Sequence, residues 1–181
     1  MKKNKLLIGI TLLLCLSTIF FAYRSINLNN QLKQSTDVID SITWSEFINL
    51  NNSLHRISKE LMYYDHNLNE KELYLTLIGK ESNRLNEIGM NLRRLLSPDN
   101  LIYEEQIWKI EIFINDISSG RLIDEEKIHQ VAVVIDKQQN DLQNMFFPDN
   151  AIGVSGVNNV ENIEQIKGIL NIIIDEINEV N

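Results

Sequence analysis

The 181-residue chain contains one cysteine, two prolines and seven glycines. Because Cys15 is the only cysteine, no disulfide can form within the chain, and any folded domain must be held together by packing. Four-cysteine zinc sites are excluded for the same reason. An all-β sandwich or barrel needs many turns, and turns are rich in glycine and proline. The composition therefore favours a helical protein.

Basic charge is scarce after the first five residues. The chain has 17 lysines and arginines and 25 aspartates and glutamates. Lys2, Lys3 and Lys5 precede every acidic residue, which leaves 14 basic against 25 acidic residues in the remainder, a net charge of −11. An acidic body disfavours nucleic acid, which is bound through a basic face. We expect no nucleic-acid partner.

Motifs for catalysis or cofactor binding are also missing. The sequence has no His-Glu-x-x-His, no glycine-rich phosphate loop and no Gly-x-Ser-x-Gly. Of the histidines His55, His66 and His129, only His129 follows a glutamate, Glu126, with the Glu-x-x-His spacing of di-iron bundles. Such a site needs two of these motifs and two further glutamates. We therefore predict no cofactor, no metal and no enzymatic activity.

One long apolar segment stands out against this background. Residues 6–23 contain no charged side chain, three lysines precede them, and Arg24 follows them. Eighteen helical residues span roughly 27 Å, close to the hydrocarbon thickness of about 30 Å. Eleven leucines, isoleucines and phenylalanines favour insertion by roughly 3 to 7 kcal/mol in total. The segment is predicted to be a transmembrane anchor that contacts the lipid bilayer.

Two alternatives to a permanent anchor remain open. Cleavage of a signal peptide requires small residues at alternate positions, which Phe20 opposes at a site after Ala22 but Cys15 permits at a site after Ser17. A lipoprotein signal would modify Cys15, and Leu14 stands where a small residue is expected. The cleaved form would be secreted.

The charges around the segment predict its orientation. The lysines before it are expected to remain in the cytoplasm, so residues 1–5 form a short cytoplasmic tail and residues 24–181 lie outside. No second apolar segment returns the chain through the membrane. We therefore expect a single-pass protein of the cell membrane without a cytoplasmic output domain.

Apolar residues then recur at the three- and four-residue intervals typical of amphipathic helices. We expect an all-α fold: the transmembrane helix, a juxtamembrane helix over 24–42, and an up-and-down bundle of four to five helices over 43–181, with a loop at 148–159. The predicted apolar stripes are Phe47, Leu50, Leu54, Ile57, Leu61 and Tyr64; Tyr74, Ile78, Leu85, Ile88, Leu92 and Leu95; Ile107, Ile110, Ile114 and Ile117; Ile128, Val131, Ile135, Leu142 and Met145; and Ile163, Ile166, Leu170, Ile173, Ile177 and Val180.

Three stretches allow more than one interpretation. Thr43 and Glu46 have capping-box spacing, and the stripes before and after them are out of phase, which predicts a kink or restart near Thr43. Residues 107–114 alternate like a strand, although their helical neighbours favour a helix. The tripeptide Pro-Asp-Asn occurs at 98–100 and again at 148–150. It indicates either a duplicated helical hairpin or a common helix-stop, helix-start sequence.

Two polar residues interrupt the stripes, and they are the possible polar seam positions of the bundle. Glu81 lies between Ile78 and Leu85, and Gln138 occupies the equivalent place in the fourth helix. A buried carboxylate without a partner is costly. We expect Glu81 to pair with Arg84 or with a basic residue of a neighbouring helix, and a ligand or proton site is the alternative.

These features favour a non-enzymatic, membrane-anchored interaction module that binds another protein or a surface component. One alternative is a small subunit that assembles into a membrane complex through its apolar helix. Another is an extracytoplasmic enzyme that uses carboxylates of the bundle core, in which Glu81 or His129 would face a shared cavity.

Overall fold

Helices form nearly all of the chain that is described. The computed structural model describes residues 2–65, 71–95, 102–146, 156 and 159–180, with side chains for all of these except 2–13, 102, 103 and 160. Within these ranges there are five helices and no strand: α1 (Lys2–Met62), α2 (Lys71–Leu95), α3 (Ile102–Ser118), α4 (Glu125–Phe146) and α5 (Val160–Val180). The predicted all-α fold is confirmed, and residues 107–114 are helical.

The predicted restart near Thr43 is wrong. Thr43 is fully buried inside α1, where it cannot cap a helix start. The side chain of Glu46, the second member of the predicted capping box, instead accepts a hydrogen bond of 3.1 Å from Asn91 on α2. The two residues with capping-box spacing therefore lie inside a continuous helix, and Glu46 contacts a neighbouring helix instead of capping α1.

The chain divides into two units, residues 1–39 and residues 40–181. In the first unit, the large apolar side chains from Leu14 to Phe21 are more than half exposed. Among the described residues, no helix combines the length and the hydropathy needed to cross a membrane. The first part of the predicted anchor, residues 6–13, lies outside the residues whose side chains are described.

The core of the second unit is built from the predicted stripes. Nearly all of their residues are buried, with Tyr74, Leu95 and Met145 half-buried, because three- and four-residue spacing places them on one face of each helix. Four further buried apolar residues lie beside the stripes, namely Phe113, Ala132, Phe146 and Ile174.

Side-chain pairs establish how the helices of this unit run. Arg56 and Glu46 of α1 contact Glu81 and Asn91 of α2, so these two segments are antiparallel. The same reversal holds between α2 and α3, where Arg93 bonds to Glu104 and Ser82 to Glu111. Helices α1 and α2, and helices α2 and α3, therefore pack as antiparallel pairs.

The other contacts close a ring. Helix α1 also contacts α4, through Asn51 with Gln139 and through Ser58 with Asp136. Helix α5 packs against both α4 and α3. The order around the bundle is α1, α2, α3, α5 and α4, so that residues 40–62 of α1 lie between α2 and α4.

Polar side chains begin the last two helices. The Asp124 carboxylate accepts a bond of 3.3 Å from the Lys127 backbone N–H and thereby caps α4. Asn159 caps α5 in the same way, at 2.9 Å from the Glu161 N–H. Before α4, Gly120 adopts a φ of +72°, a left-handed conformation that suits glycine at a helix end. Of the predicted loop at 148–159, only residues 156 and 159 are described, and both Pro-Asp-Asn tripeptides lie outside the described residues.

Candidate functional site

The first seam residue, Glu81, is buried between α1 and α2 with 7% of its surface exposed. Arg56 donates two hydrogen bonds to the carboxylate, from Nε to Oε1 at 2.7 Å and from Nη2 to Oε2 at 3.2 Å. Ser53 donates a third bond to Oε2 at 2.7 Å. Arg84 lies 3.9 Å from Oε1. Both predicted partners are thus present, and the neighbouring helix supplies the closer one.

This arrangement leaves the Glu81 carboxylate fully partnered. A bidentate arginine and a hydroxyl donor stabilise the charged form in a buried position. Both oxygens are engaged, so Glu81 has the surroundings of an interhelical ion pair. Its geometry favours a role in holding α2 against α1.

Glu60 lies one helical turn after Arg56 and belongs to the same interface. Burial raises the pKa of Glu60 above its ordinary value of 4.5, and the charge of Glu81 raises it further, while Arg56 acts in the opposite direction. Its buried Oε2 has no hydrogen-bond partner among the described residues. The Tyr74 hydroxyl donates to the Glu60 backbone carbonyl, and burial followed by the Glu60 charge raises the pKa of Tyr74 to about 12.

The raised pKa of Glu60 predicts a pH-dependent stability. The folded protein holds this proton more tightly than the unfolded chain, so stability falls as the pH rises from about 4.5 through the raised pKa. Glu60→Gln has no such proton. We expect the variant to match the wild type below pH 4 and to become more stable above it, by less than about 1 kcal/mol because the side chain is partly exposed.

Urea unfolding measured between pH 3.5 and 8 would check this expectation. Glu72→Gln is the control, since Glu72 is exposed in the first turn of α2. A constant difference between Glu60→Gln and the wild type across this range would contradict the assignment.

A second polar layer joins α1 to α4. Lys59 donates to the Asp136 carboxylate at 2.9 Å and Ser58 donates to the same oxygen at 3.1 Å. The bond from Lys59 is the main reason that the pKa of Asp136 is lowered. Gln139 donates to Asn51 at 3.2 Å. These residues were not predicted, because their partners are far away in sequence.

His129 is also a structural contact. Its Nε2 lies 2.9 Å from the backbone carbonyl oxygen of Tyr64 and therefore donates a proton to it. Glu81 and His129 consequently take part in different interfaces, α1 with α2 and the end of α1 with α4. In the described part of the chain, no group of three histidine, cysteine or acidic side chains is placed to hold a metal ion. His66 lies outside the described residues.

The second seam residue, Gln138, has different surroundings. It is 3% exposed, and its Oε1 has no hydrogen-bond partner in the described part of the chain. It lies at a groove of about 650 Å³ between α4 and α5. The other lining residues are Asp141, Asn144, Met145, Asn162, Gln165, Gly168, Ile169 and Ile172. The sequence identified Gln138 as a polar break, and the structure adds the groove beside it.

Another groove, of about 400 Å³, lies between α2 and α3 beside the exposed Met90 and Trp108. Its two carboxylates are paired, Glu104 with Arg93 at 2.8 Å and Glu105 with Lys109 at 2.9 Å. The carboxylates of this groove are therefore already engaged in ion pairs.

Comparison of the chain with protein-family models, with curated proteins and with solved structures gives no match. Any functional assignment consequently depends on the residues and the geometry given above.

Proposed function

We propose that the protein is a non-catalytic binding module, anchored in the cell membrane by residues 6–23, whose helical bundle is displayed outside the cytoplasm. Its tail would be residues 1–5, its juxtamembrane helix residues 24–42 and its bundle residues 43–181. The bundle would bind another protein.

The observation that carries this proposal is the exposure of the apolar segment. Leu14, Leu16, Ile19, Phe20 and Phe21 are each between 58% and 66% exposed. An apolar surface of this extent is unfavourable in water and favourable in a lipid bilayer. Charge gives the direction of insertion, because three lysines precede the segment.

Two polar side chains of the described part of the segment support a simple tether. Ser17 and Thr18 both donate to the Leu14 carbonyl at 2.8 Å, so that their hydroxyl groups are satisfied within α1. They do not require a partner helix in the membrane. A subunit that assembles through this helix is the alternative, and scrambling the segment at constant hydropathy would separate the two, since only a tether would tolerate it.

The binding role is supported by the polar residues of the bundle. Glu81 and His129, the residues that an enzyme would have used, are bonded at separate interfaces. Gln138, in contrast, lines a groove between α4 and α5, and its own amide oxygen is buried beneath the surface of that groove. The groove between α4 and α5 therefore supports a binding function.

The anchor can be tested by charge. Leu14→Arg combined with Ser17→Arg adds about 5–7 kcal/mol to the cost of insertion, which is comparable to the whole gain from the apolar residues. We expect this variant to leave the membrane fraction in a flotation experiment. The control, Asn29→Arg with Asn30→Arg, adds the same charge after the segment and should stay with the membrane.

Equal flotation of the two variants would contradict the anchor. N-terminal sequencing of the membrane-free wild type would reveal cleavage after Ser17 if the segment is a signal peptide. A reporter that is active only in the cytoplasm, fused after Asn181, should be silent, and its activity would show that the orientation is wrong.

A further inference from the structure

We propose that residues 25–39 of α1 pair with the same residues of a second copy of this chain and form a parallel two-stranded coiled coil. The parallel orientation rests on the proposed membrane anchor, whereas the pairing itself is a further property of the chain.

An exposed stripe with coiled-coil spacing runs along this part of α1. Its members, called here the juxtamembrane stripe, follow one another at intervals of four, three and four residues: Leu28, Leu32, Ser35 and Ile39. The two leucines are 50% and 67% exposed, and the isoleucine is 41% exposed. In heptad terms the first and third residues occupy d positions and the other two occupy a positions, which face the partner helix of a coiled coil. The stripe is therefore arranged to meet another helix.

The helical state of this stretch calls for packing against another helix. Seven of the fifteen residues from 25 to 39 are serine, threonine, asparagine or aspartate, which are weak helix formers. Every side chain from Arg24 to Val38 is exposed in the described chain. Most helical stability in proteins comes from the packing of an amphipathic face. A second helix at the juxtamembrane stripe supplies that packing.

The charges of this stretch lie away from the stripe. Lys33 and Asp37 are the only charged residues between 25 and 39, and they fall at b and f positions, on the outer face. Ile26, the one apolar residue of that face, lies two residues after Arg24 at the expected membrane surface. Charges at e and g positions normally select the partner of a coiled coil. Here those positions hold only uncharged residues, namely Asn29, Gln31, Thr36 and Val38. Two identical helices therefore meet without repulsion, and no oppositely charged partner is specified.

The proposed anchor makes a second copy the natural occupant. Copies that insert through residues 6–23 enter the bilayer in the same direction, so residue 25 begins at the same height in each of them. A neighbouring copy then presents Leu28 to Leu28 and Leu32 to Leu32, in register. The same spacing continues back towards the N-terminus through exposed residues, namely Ser25, Phe21, Thr18 and Leu14. Two paired helices can consequently stay parallel where they enter the membrane.

Ser35 leaves room for a side chain of the facing helix. A shallow groove of about 580 Å³ lies beside this small residue, and Gln31, Gln34, Val38 and Ile39 complete its lining. In a coiled coil each apolar side chain of the stripe enters a gap between four residues of the facing helix. The side chain of Ile39 from the second copy fits among Ser35, Val38 and Ile39 in this way.

Cysteine cross-linking of the full chain in membranes tests the pairing. Cys15→Ser removes the only natural cysteine, and single cysteines then replace each residue from 25 to 39 in turn. Oxidation by copper phenanthroline joins two thiols only where the two chains lie close together. We expect the yield of disulfide-linked dimer for Leu32→Cys and Ser35→Cys to exceed that for Asn30→Cys and Asp37→Cys at least about fivefold. High yields should recur at the three- and four-residue intervals of the stripe.

Paired substitutions by glutamate test the stripe itself, with the dimer yield of Ser35→Cys as the measurement. Leu28→Glu combined with Leu32→Glu places four carboxylates between the two helices and should lower this yield at least about tenfold. The control, Asn27→Glu with Asn30→Glu, adds the same charge on the outer face and should change the yield by less than about twofold. Leu28 and Leu32 are outside the buried core, so the thermal unfolding midpoint should be the same in both variants.

Three results would overturn the inference. They are equal cross-linking at all positions from 25 to 39, no cross-linking at any of them, and equal losses for the two glutamate pairs. Flotation tests the anchor separately. Protein that leaves the membrane but still cross-links with the three- and four-residue pattern would keep the pairing and refute the anchor. Membrane-bound protein that does not cross-link would refute the pairing and leave the anchor in place.

Discussion

Arg56→Ala should lower the free energy of unfolding by about 2–4 kcal/mol, while Glu81→Leu should change it by about 1 kcal/mol or less. The two residues form one ion pair, and its two halves differ in burial: the side chain of Glu81 is 10% exposed and that of Arg56 is 38% exposed. Removal of Arg56 leaves a charged carboxylate away from water.

Glu81→Leu, in contrast, leaves the Arg56 guanidinium without its partner, and water can reach this group. An exposed charge keeps most of its hydration, so the loss of its partner costs little. Leucine at position 81 also continues the apolar stripe between Ile78 and Leu85, which are both buried. We therefore expect Arg56→Ala to be the more destabilising of the two variants by at least about 1 kcal/mol.

Urea unfolding of the full chain in a mild detergent, followed by circular dichroism, would measure both changes. The control is Arg94→Ala, since Arg94 is an exposed arginine of α2. The double variant Arg56→Ala, Glu81→Leu should recover most of the stability lost in Arg56→Ala. Equal losses for the two single variants would mean that Glu81 is not held as a buried anion.

Phe146→Ala should lower the free energy of unfolding by about 3–5 kcal/mol. Phe146 ends α4, is 1% exposed, and makes aromatic contacts with two residues of α1. Its ring centroid lies 5.1 Å from that of Trp44 in an edge-to-face arrangement and 6.1 Å from that of Phe47 in a stacked one. Alanine would leave a cavity and remove both contacts.

The same unfolding experiment applies, with Tyr63→Ala as the control. Tyr63 is 74% exposed and its truncation should change the free energy of unfolding by about 0.5 kcal/mol or less. Phe146→Leu should fall between the two, because it retains much of the apolar volume. A loss below about 1 kcal/mol for Phe146→Ala would show that α1 and α4 are not joined at this cluster.

The helical core could be predicted because the relevant information is local. Leu54, Ile110 and Ile135 are buried since each lies three or four residues from other apolar residues of its own helix. The same spacing identified Glu81 and Gln138 as polar residues on buried faces. The cap at Asp124 was predictable for a similar reason, because its hydrogen bond reaches only three residues along the chain.

The pairing of these residues was not predictable, because it depends on which helices are neighbours. Arg84 was visible as a candidate partner of Glu81 three residues away, whereas Arg56 lies 25 residues before it. Glu60 lies beside the apolar stripe and becomes part of the interface only when Tyr74 packs against its backbone. The groove at Gln138 likewise requires both α4 and α5.

The position of residues 40–62 of α1 between α2 and α4 has a consequence for the order of folding. Contacts between α2 and α3 join residues as close as 11 positions apart, while those between α1 and α4 join residues 77 to 102 positions apart. Local contacts form fastest, so we expect the α2–α3 hairpin to form first. During synthesis at about 5–20 residues per second, the face of α1 that α4 will cover would wait roughly 4–17 s for Phe146 to be made. A nascent chain with this topology therefore exposes the side chains of Trp44 and Phe47, which contact Phe146 in the folded protein, for seconds.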